Sequence, residues 1–246
     1  MKLNSFACTV LLATASLTVA EAAHAAIALD RTRVIFDGDA NAQSLSVTNQ
    51  NKTLPYLAQA WVEDDKGNKI ENPFMAVPPL QRIEAGTASQ VKLQLTGSSQ
   101  LAQDKESLFY FNLREIPPKS NRPNTLQIAL QTRIKMFYRP ASLKLNNGDI
   151  PQKELTLTRK GNHYIVNNPT GYFITLAHAA ASEKGEDIAN FTADMVAPKG
   201  SITLSGNTAQ LGEHPVLTYI NDYGGRPKLI FSCSGNLCKV TDTRVG

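Results

Sequence analysis

The feature that most restricts this chain is an alternation of apolar and polar residues at period two, repeated in short runs along most of its length. Ala28 to Phe36, Ser44 to Thr48, Tyr56 to Val62, Ala88 to Leu95, Leu108 to Leu113 and Leu126 to Ile134 are each rich in β-branched or aromatic residues, with polar residues interleaved. Successive side chains of a strand point to opposite faces, so a run of this kind predicts a strand with one buried side. Turn formers punctuate the series at Asp37-Gly38-Asp39, Asp65-Lys66-Gly67-Asn68, Glu84-Ala85-Gly86 and from Pro117-Pro118 to Pro123. Roughly seven strands at this spacing predict an antiparallel sandwich of immunoglobulin type.

The pattern pauses after Tyr138-Arg139-Pro140, at Asn146-Asn147-Gly148-Asp149, and then resumes. Glu154 to Thr158, His163 to Asn167, Tyr172 to Ala177, Ile202 to Leu204, Val216 to Ile220 and Lys228 to Cys233 form a second set of strand-like runs. The expected organisation is all-β, with one domain over residues 26–143, a linker near 141–150 and a second domain over 144–246. Helical signal is thin: Leu101 to Glu106 could make a single turn, and nothing longer shows a 3.6 period.

The first 25 residues read as a secretory signal. Lys2 precedes a mostly apolar stretch to Val19, and Ala23-His24-Ala25 offers a small-x-small cleavage site. Val10 to Val19 is too short and too rich in Thr and Ser to span a membrane, and no later stretch is long enough, so an exported, soluble chain without membrane insertion is expected. Export gives meaning to the cysteines. Of the three, Cys8 leaves with the signal, and Cys233 and Cys238 remain as a pair. In an oxidising compartment such a pair predicts a disulfide, which by closing so short a loop contributes roughly 2 kcal/mol. The rival is a zinc site, which needs two further ligands from His163, His178 and His214, and these lack ligand spacing.

The net charge of +4 raises the question of an anionic partner. Lys and Arg are dispersed with no run of four, so a solvated mixed-charge surface is expected and no nucleic acid. Catalytic motifs are absent: there is no GxSxG, Walker A loop, GxGxxG, HExxH or paired CxxC. Asp64-Asp65 and Glu186-Asp187 read as solvated loops, and His178 in an alternating run reads as a packed or surface histidine. The chain is therefore not expected to be an enzyme, nor to hold a cofactor or a metal.

Two segments stand out. Leu126, Ile128 and Leu130 share one face of a run whose other face carries Gln127 and Gln131, after a Pro-rich loop. This pattern fits an ordinary half-buried sandwich strand, or an edge strand that offers apolar knobs to another chain. In DRTRVIF, Arg33 interrupts apolar neighbours, as a snorkelling surface arginine also would.

The sequence resembles the periplasmic pilus chaperones. The resemblance is carried by ALDRTRVIFDG (28–38), LPYLAQAW (54–61), DKESLFYFNLREIPP (104–118), LQIALQTRIKMFYRP (126–140), YINDYGGRP (219–227) and the final Cys pair. It spans nearly the whole chain after the signal and is looser between residues 144 and 215. It implies two immunoglobulin-like domains in a boomerang, located in the periplasm. The implied client is a pilus subunit whose own fold lacks its last strand. Leu126, Ile128 and Leu130 would fill the subunit's groove, Arg33 and Lys135 would hold its C-terminal carboxylate, and Glu106, Arg139 and Asp222 would form an interdomain ion network. The chaperone would then deliver the subunit to an outer-membrane usher, and when free it could self-associate through the uncovered edge.

One detail conflicts with a flat strand. Lys135 has the opposite parity to Leu126, Ile128 and Leu130, which predicts a bulge, a strong twist or a changed environment near the domain boundary. Two other readings compete with the resemblance. A pilus subunit would need an apolar donor extension ahead of its first strand, and little chain separates Ala28 from the cleavage site; a sandwich enzyme would need a catalytic constellation.

Overall fold

The computed structural model describes residues 25–97 and 100–246; all but the last residue of the expected signal lies outside them. The first half folds into strands β1 (Ile27–Leu29), β2 (Arg33–Asp37), β3 (Ala42–Asn49), β4 (Tyr56–Glu63), β5 (Lys69–Ile70), β6 (Phe74–Val77), β7 (Leu80–Ile83), β8 (Ala88–Leu95), β9 (Ser107–Ile116) and β10 (Gln131–Arg139). One sheet has the order β1-β3-β8-β6 and the other β2-β10-β9-β4-β5, with β7 also on β4. Their inward residues, among them Val34, Phe36, Leu45, Val62, Phe74, Leu93 and Phe111, close a single apolar core. Phe74 packs edge-on against Phe36 and Phe109, with ring centroids 4.9 and 5.0 Å away.

Three sequence expectations change here. Ala28 to Phe36 is not one strand: the chain breaks at Asp30–Thr32 and switches sheets, so that β1 pairs antiparallel with β3 while β2 pairs parallel with β10. The sandwich is therefore not wholly antiparallel. Leu101 to Glu106 forms bends rather than a helical turn, and its backbone polar groups go elsewhere, as when the Glu106 N–H donates to the Gly171 carbonyl across the domain boundary at 2.8 Å. β6 and β7 lie in a stretch interrupted by Pro73, Pro78 and Pro79, which hid their alternation.

Two 3₁₀ turns, Ala141–Leu143 and Pro151–Glu154, lead to the second half. It contains β11 (Thr156–Lys160), β12 (His163–Asn167), β13 (Ile174–Ala180), β14 (Asp194–Val196), β15 (Ser201–Thr203), α1 (Thr208–Leu211), β16 (Val216–Ile220), β17 (Lys228–Ser234) and β18 (Leu237–Arg244). All eight strands form one sheet in the order β14-β13-β16-β17-β18-β11-β12-β15. The sheet curls so that both of its ends bury side chains in one core, with Leu176 and Leu217 from one end meeting Leu157 and Val166 from the other. Register shifts at Leu176/His178 and Ile230/Phe231 mark where the strands bend. The single turn of α1 carries a capping box, with Asn207 and Gln210 each satisfying the other's backbone N–H.

Cys233 and Cys238 face each other across the β17–β18 hairpin and are joined as a disulfide. The turn between Ser234 and Leu237 is two residues long, and Gly235 takes φ +61°, the left-handed value that a primed hairpin turn requires at its first position.

Candidate functional site

The site is organised by β10, which lies between β2 and β9. Ile134, Met136 and Tyr138 point into the core, so Arg133, Lys135, Phe137 and Arg139 occupy the opposite face. That face looks toward the second domain. Phe137 packs on Phe173 at 5.5 Å between ring centroids, and Lys135 Nζ donates to the Thr175 hydroxyl at 3.5 Å. The β10–β9 register runs unbroken from Gln131↔Arg114 to Tyr138↔Ser107, so no bulge reorients Lys135. Its parity is that of an ordinary strand, and the domain boundary supplies the different environment.

The segment before β10 departs from both sequence readings. Residues 125–130 are not part of a strand, and their last backbone tie is the Glu115 N–H donating to the Leu130 carbonyl at 3.0 Å. Leu126, Ile128 and Leu130 are 84%, 62% and 41% exposed, so this is no half-buried sandwich strand. The intervening Gln127 side chain donates back to the Pro118 carbonyl, holding the segment near the end of β9. The apolar row has outrun its own domain's core. Because β2 pairs only with Lys135–Arg139, the β2-side edge of Gln131–Ile134 also has no strand partner among the described residues.

Arg33 opens β2 and is the register partner of Lys135. Its Nη1 donates to the Ile220 carbonyl of the second domain at 3.2 Å, while its Nε is buried without a partner among the described residues. Burial lowers the Arg33 pKa, partly opposed by Asp222. Lys135 is lowered as well, first by burial and then by the Arg33 charge, with Asp194 opposing. Two under-compensated cations side by side favour an anion. Arg33 also lines a cleft of about 990 Å³ with Ile35, Arg139, Tyr219 and Asp222; Lys135 does not line it.

Behind these cations lies the ion network. Arg139 Nε donates to Glu106 Oε1 at 2.8 Å, while Nη1 and Nη2 form a two-pronged pair with Asp222 at 2.7 and 3.0 Å. Glu106 Oε2 accepts the Phe173 N–H at 2.8 Å. Burial pushes the Glu106 carboxyl up, opposed by Arg139 and the Phe173 N–H, and the two carboxylates hold Arg139 more firmly charged than usual. Thus Glu106 and Arg139 of the first domain and Asp222 of the second meet in one cluster.

Sequence reading did not single out the residues of the second domain that complete this boundary. Tyr172 donates its hydroxyl to the Leu143 carbonyl at 2.8 Å, and a Cβ at Gly171 would lie 2.8 Å from the Leu143 side chain and 3.0 Å from the Asp104 carbonyl. The signal available was the Gly171-Tyr172-Phe173 triplet, a glycine beside two aromatics at the start of a strand run. Among the described residues, no three His, Cys, Asp or Glu side chains gather as metal ligands, and no helix is long and apolar enough to cross a membrane.

Comparison with known proteins places this geometry. Residues 26–144 match the N-terminal domain of the PapD pili and flagellar-assembly chaperones, and residues 151–231 match the PapD C-terminal domain. The chain is 47% identical to the Escherichia coli chaperone protein PapD, covering 94% of this chain and 96% of that one. It is 41% identical to the chaperone protein PmfD of Proteus mirabilis, covering 92% and 90%. Among solved structures, the periplasmic chaperone SfaE aligns with a TM-score of 0.67 at 31% identity, over 83% of this chain and 98% of SfaE. The Salmonella enterica chaperone SafB, solved in complex with the pilin SafA, aligns with a TM-score of 0.71 at 27% identity, over 86% and 98%. With both domain models matched in order and relatives similar over nearly their full length, the chain belongs to the PapD family of pilus-assembly chaperones.

Proposed function

We propose that this protein captures pilus subunits in the periplasm by lending them a strand, caps their assembly groove and delivers them to an outer-membrane usher. The observation that carries this reading is the exposed row Leu126, Ile128 and Leu130, which leads into the open edge of Gln131–Ile134 and so to Lys135 and its register partner Arg33. A subunit strand laid parallel to β10 on that edge meets β2 at Arg33, where its pairing must stop. A chain that ends there places its terminal carboxylate between the two cations. Covering the row removes apolar surface worth roughly 3–6 kcal/mol gross. The carboxylate fixes the register, which matters because a slip of one residue would turn every side chain to the wrong face.

The chemistry is recognition, with no reacting group. Arg33 and Lys135 bind the carboxylate, the apolar row fills the groove, and the Glu106–Arg139–Asp222 network holds the two domains at the angle the client needs. No cofactor, metal or nucleotide takes part. The domains divide at the linker between the two 3₁₀ turns, and the free edge is capped by a second copy when no client is present. The test is co-export with a candidate pilin, followed by co-purification, beside capture of a denatured pilin by the purified chaperone alone. A one-to-one complex formed without nucleotide or metal is expected. Capture that required either would overturn the reading.

A further inference from the structure

Glu115 is a carboxylate on the wrong face of its strand. It shares the core side of β9 with Phe111 and Leu113, sits opposite Ala58 on β4, and is 6% exposed. Among the described residues no Lys, Arg or His side chain lies within ion-pair distance of it. The one hydrogen bond to its side chain there is from the backbone N–H of Ile27, at 2.9 Å to Oε2. A buried carboxylate answered by one neutral donor is costly unless a cation completes it.

The missing cation is one residue away. Cleavage after Ala23-His24-Ala25 leaves Ala26 as the first residue, and its nitrogen becomes an α-ammonium. Ala26 immediately precedes Ile27, whose N–H is the donor to Glu115, so the new α-ammonium arises one residue from the carboxylate's donor. Ala26 is held in place independently, since its carbonyl accepts the Gln50 N–H at 2.7 Å. We propose that the Glu115 carboxylate is the binding site for the α-ammonium released by signal cleavage, so that processing completes a buried ion pair. The proposal rests on the export reading above.

The pair has a second end. The backbone N–H of Glu115 is the group that holds the Leu130 carbonyl, at 3.0 Å. One residue therefore fastens the mature N-terminus through its side chain and the root of the client-binding row through its backbone. Glu115 is a positioning residue for Leu126–Leu130, and the precursor, which lacks the ammonium, holds that row less firmly than the mature chain does.

The test uses exported, purified protein. Intact mass must place the N-terminus at Ala26; any other start overturns the proposal. Gly-Ser inserted ahead of Ala26 should lower the melting temperature and speed hydrogen exchange at the Glu115 amide. Glu115→Gln should abolish the difference between inserted and native chains, and an insertion effect of equal size with and without Glu115 would overturn the pair. An amine-selective reagent at neutral pH should label the α-amine of the native protein about tenfold more slowly than that of the same protein in urea, the factor expected of one pKa unit of ion-pairing. Equal labelling rates would also overturn it, and this measurement needs no variant to fold. Subunit capture is read separately: a mature protein with the Ala26–Glu115 pair but no capture would defeat the function proposed above and leave the pair standing.

Discussion

Arg33 and Lys135 are register partners across the parallel β2–β10 ladder, so two cations stand side by side on the face of the first domain that meets the second. Each is engaged only weakly from the second domain, Arg33 by the Ile220 carbonyl and Lys135 by the Thr175 hydroxyl. An anion bound between them, as proposed, would relieve their mutual repulsion. Arg33→Ala or Lys135→Ala should each cost roughly 2–5 kcal/mol in subunit affinity. The double variant should lose little beyond that, because one substitution already breaks the site. Isothermal titration with a C-terminal subunit peptide measures this; normal affinity in Arg33→Ala would remove the anchor.

Burial of Lys135, with the Arg33 charge second, sets a pH dependence. Lys135 has a lowered pKa, so its charge costs stability below that value and the cost fades as pH rises toward the ordinary lysine value of 10.5. Removing the charge should therefore help the free protein: Lys135→Met should raise its stability at neutral pH by up to about 1 kcal/mol while weakening capture. Affinity for the subunit carboxylate should decline as an alkaline titration passes the lowered Lys135 value. Lys135→Arg should flatten that decline although its planar fork fits only partly. A lower melting temperature for Lys135→Met would contradict the argument.

Ile128 lies at the middle of the exposed row and is 62% exposed in the free chain. Ile128→Asp should leave folding intact, since water already reaches the side chain, and should abolish capture, since the charge would enter an apolar groove. Gln127→Lys, which keeps a donor on the face turned to the Pro118 loop, should be mild. Circular dichroism and co-purification together decide; equal loss of capture by both variants would end the case for one-sided insertion.

The ion network predicts a graded response. Glu106 and Arg139 side chains are 2% and 7% exposed, whereas the Asp222 side chain is 30% exposed. Glu106→Ala leaves the buried Arg139 Nε and the Phe173 N–H without an acceptor while Asp222 still holds the other edge of the guanidinium, and should cost roughly 2–5 kcal/mol. Asp222→Ala lets water replace part of the pair and should cost about 1 kcal/mol, with a wider spread of interdomain distances in spin-label measurements. The opposite ranking in chemical denaturation would show that Glu106 is not the inner member.

Replacing Cys233 and Cys238 together by Ser should lower the stability of the second domain by roughly 2 kcal/mol while leaving subunit affinity per folded molecule unchanged. The hairpin lies far along the chain from β10, and among the described residues Arg33 and Lys135 direct their side-chain hydrogen bonds to Ile220 and Thr175 rather than to it. A thiol assay on native protein should find none free.

The sequence by itself determined what local chemistry controls. Alternation at period two specified strands, the turn formers bounded them, and Cys233 and Cys238 remained as a close pair in an exported chain, which predicted their disulfide. It also carried Arg33, Lys135, Glu106, Arg139 and Asp222 as candidates, through the family resemblance of motifs such as DKESLFYFNLREIPP, but not Gly171 or Tyr172. The tertiary structure decided what depends on residues far apart in the chain. Alternation in Leu126–Leu130 could not tell a buried strand from an exposed one, because a period of two says which side chains share a face and not whether that face has a core to meet. Lys135 looked misplaced only while a strand was assumed to have one functional face; the second domain gave its other face a use. Arg33 became the neighbour of Lys135, and Asp222 the partner of Arg139, through a parallel pairing and a domain contact that join residues about a hundred positions apart. Long-range proximity of that kind is set by the closing of two cores against each other, which no local run of residues encodes.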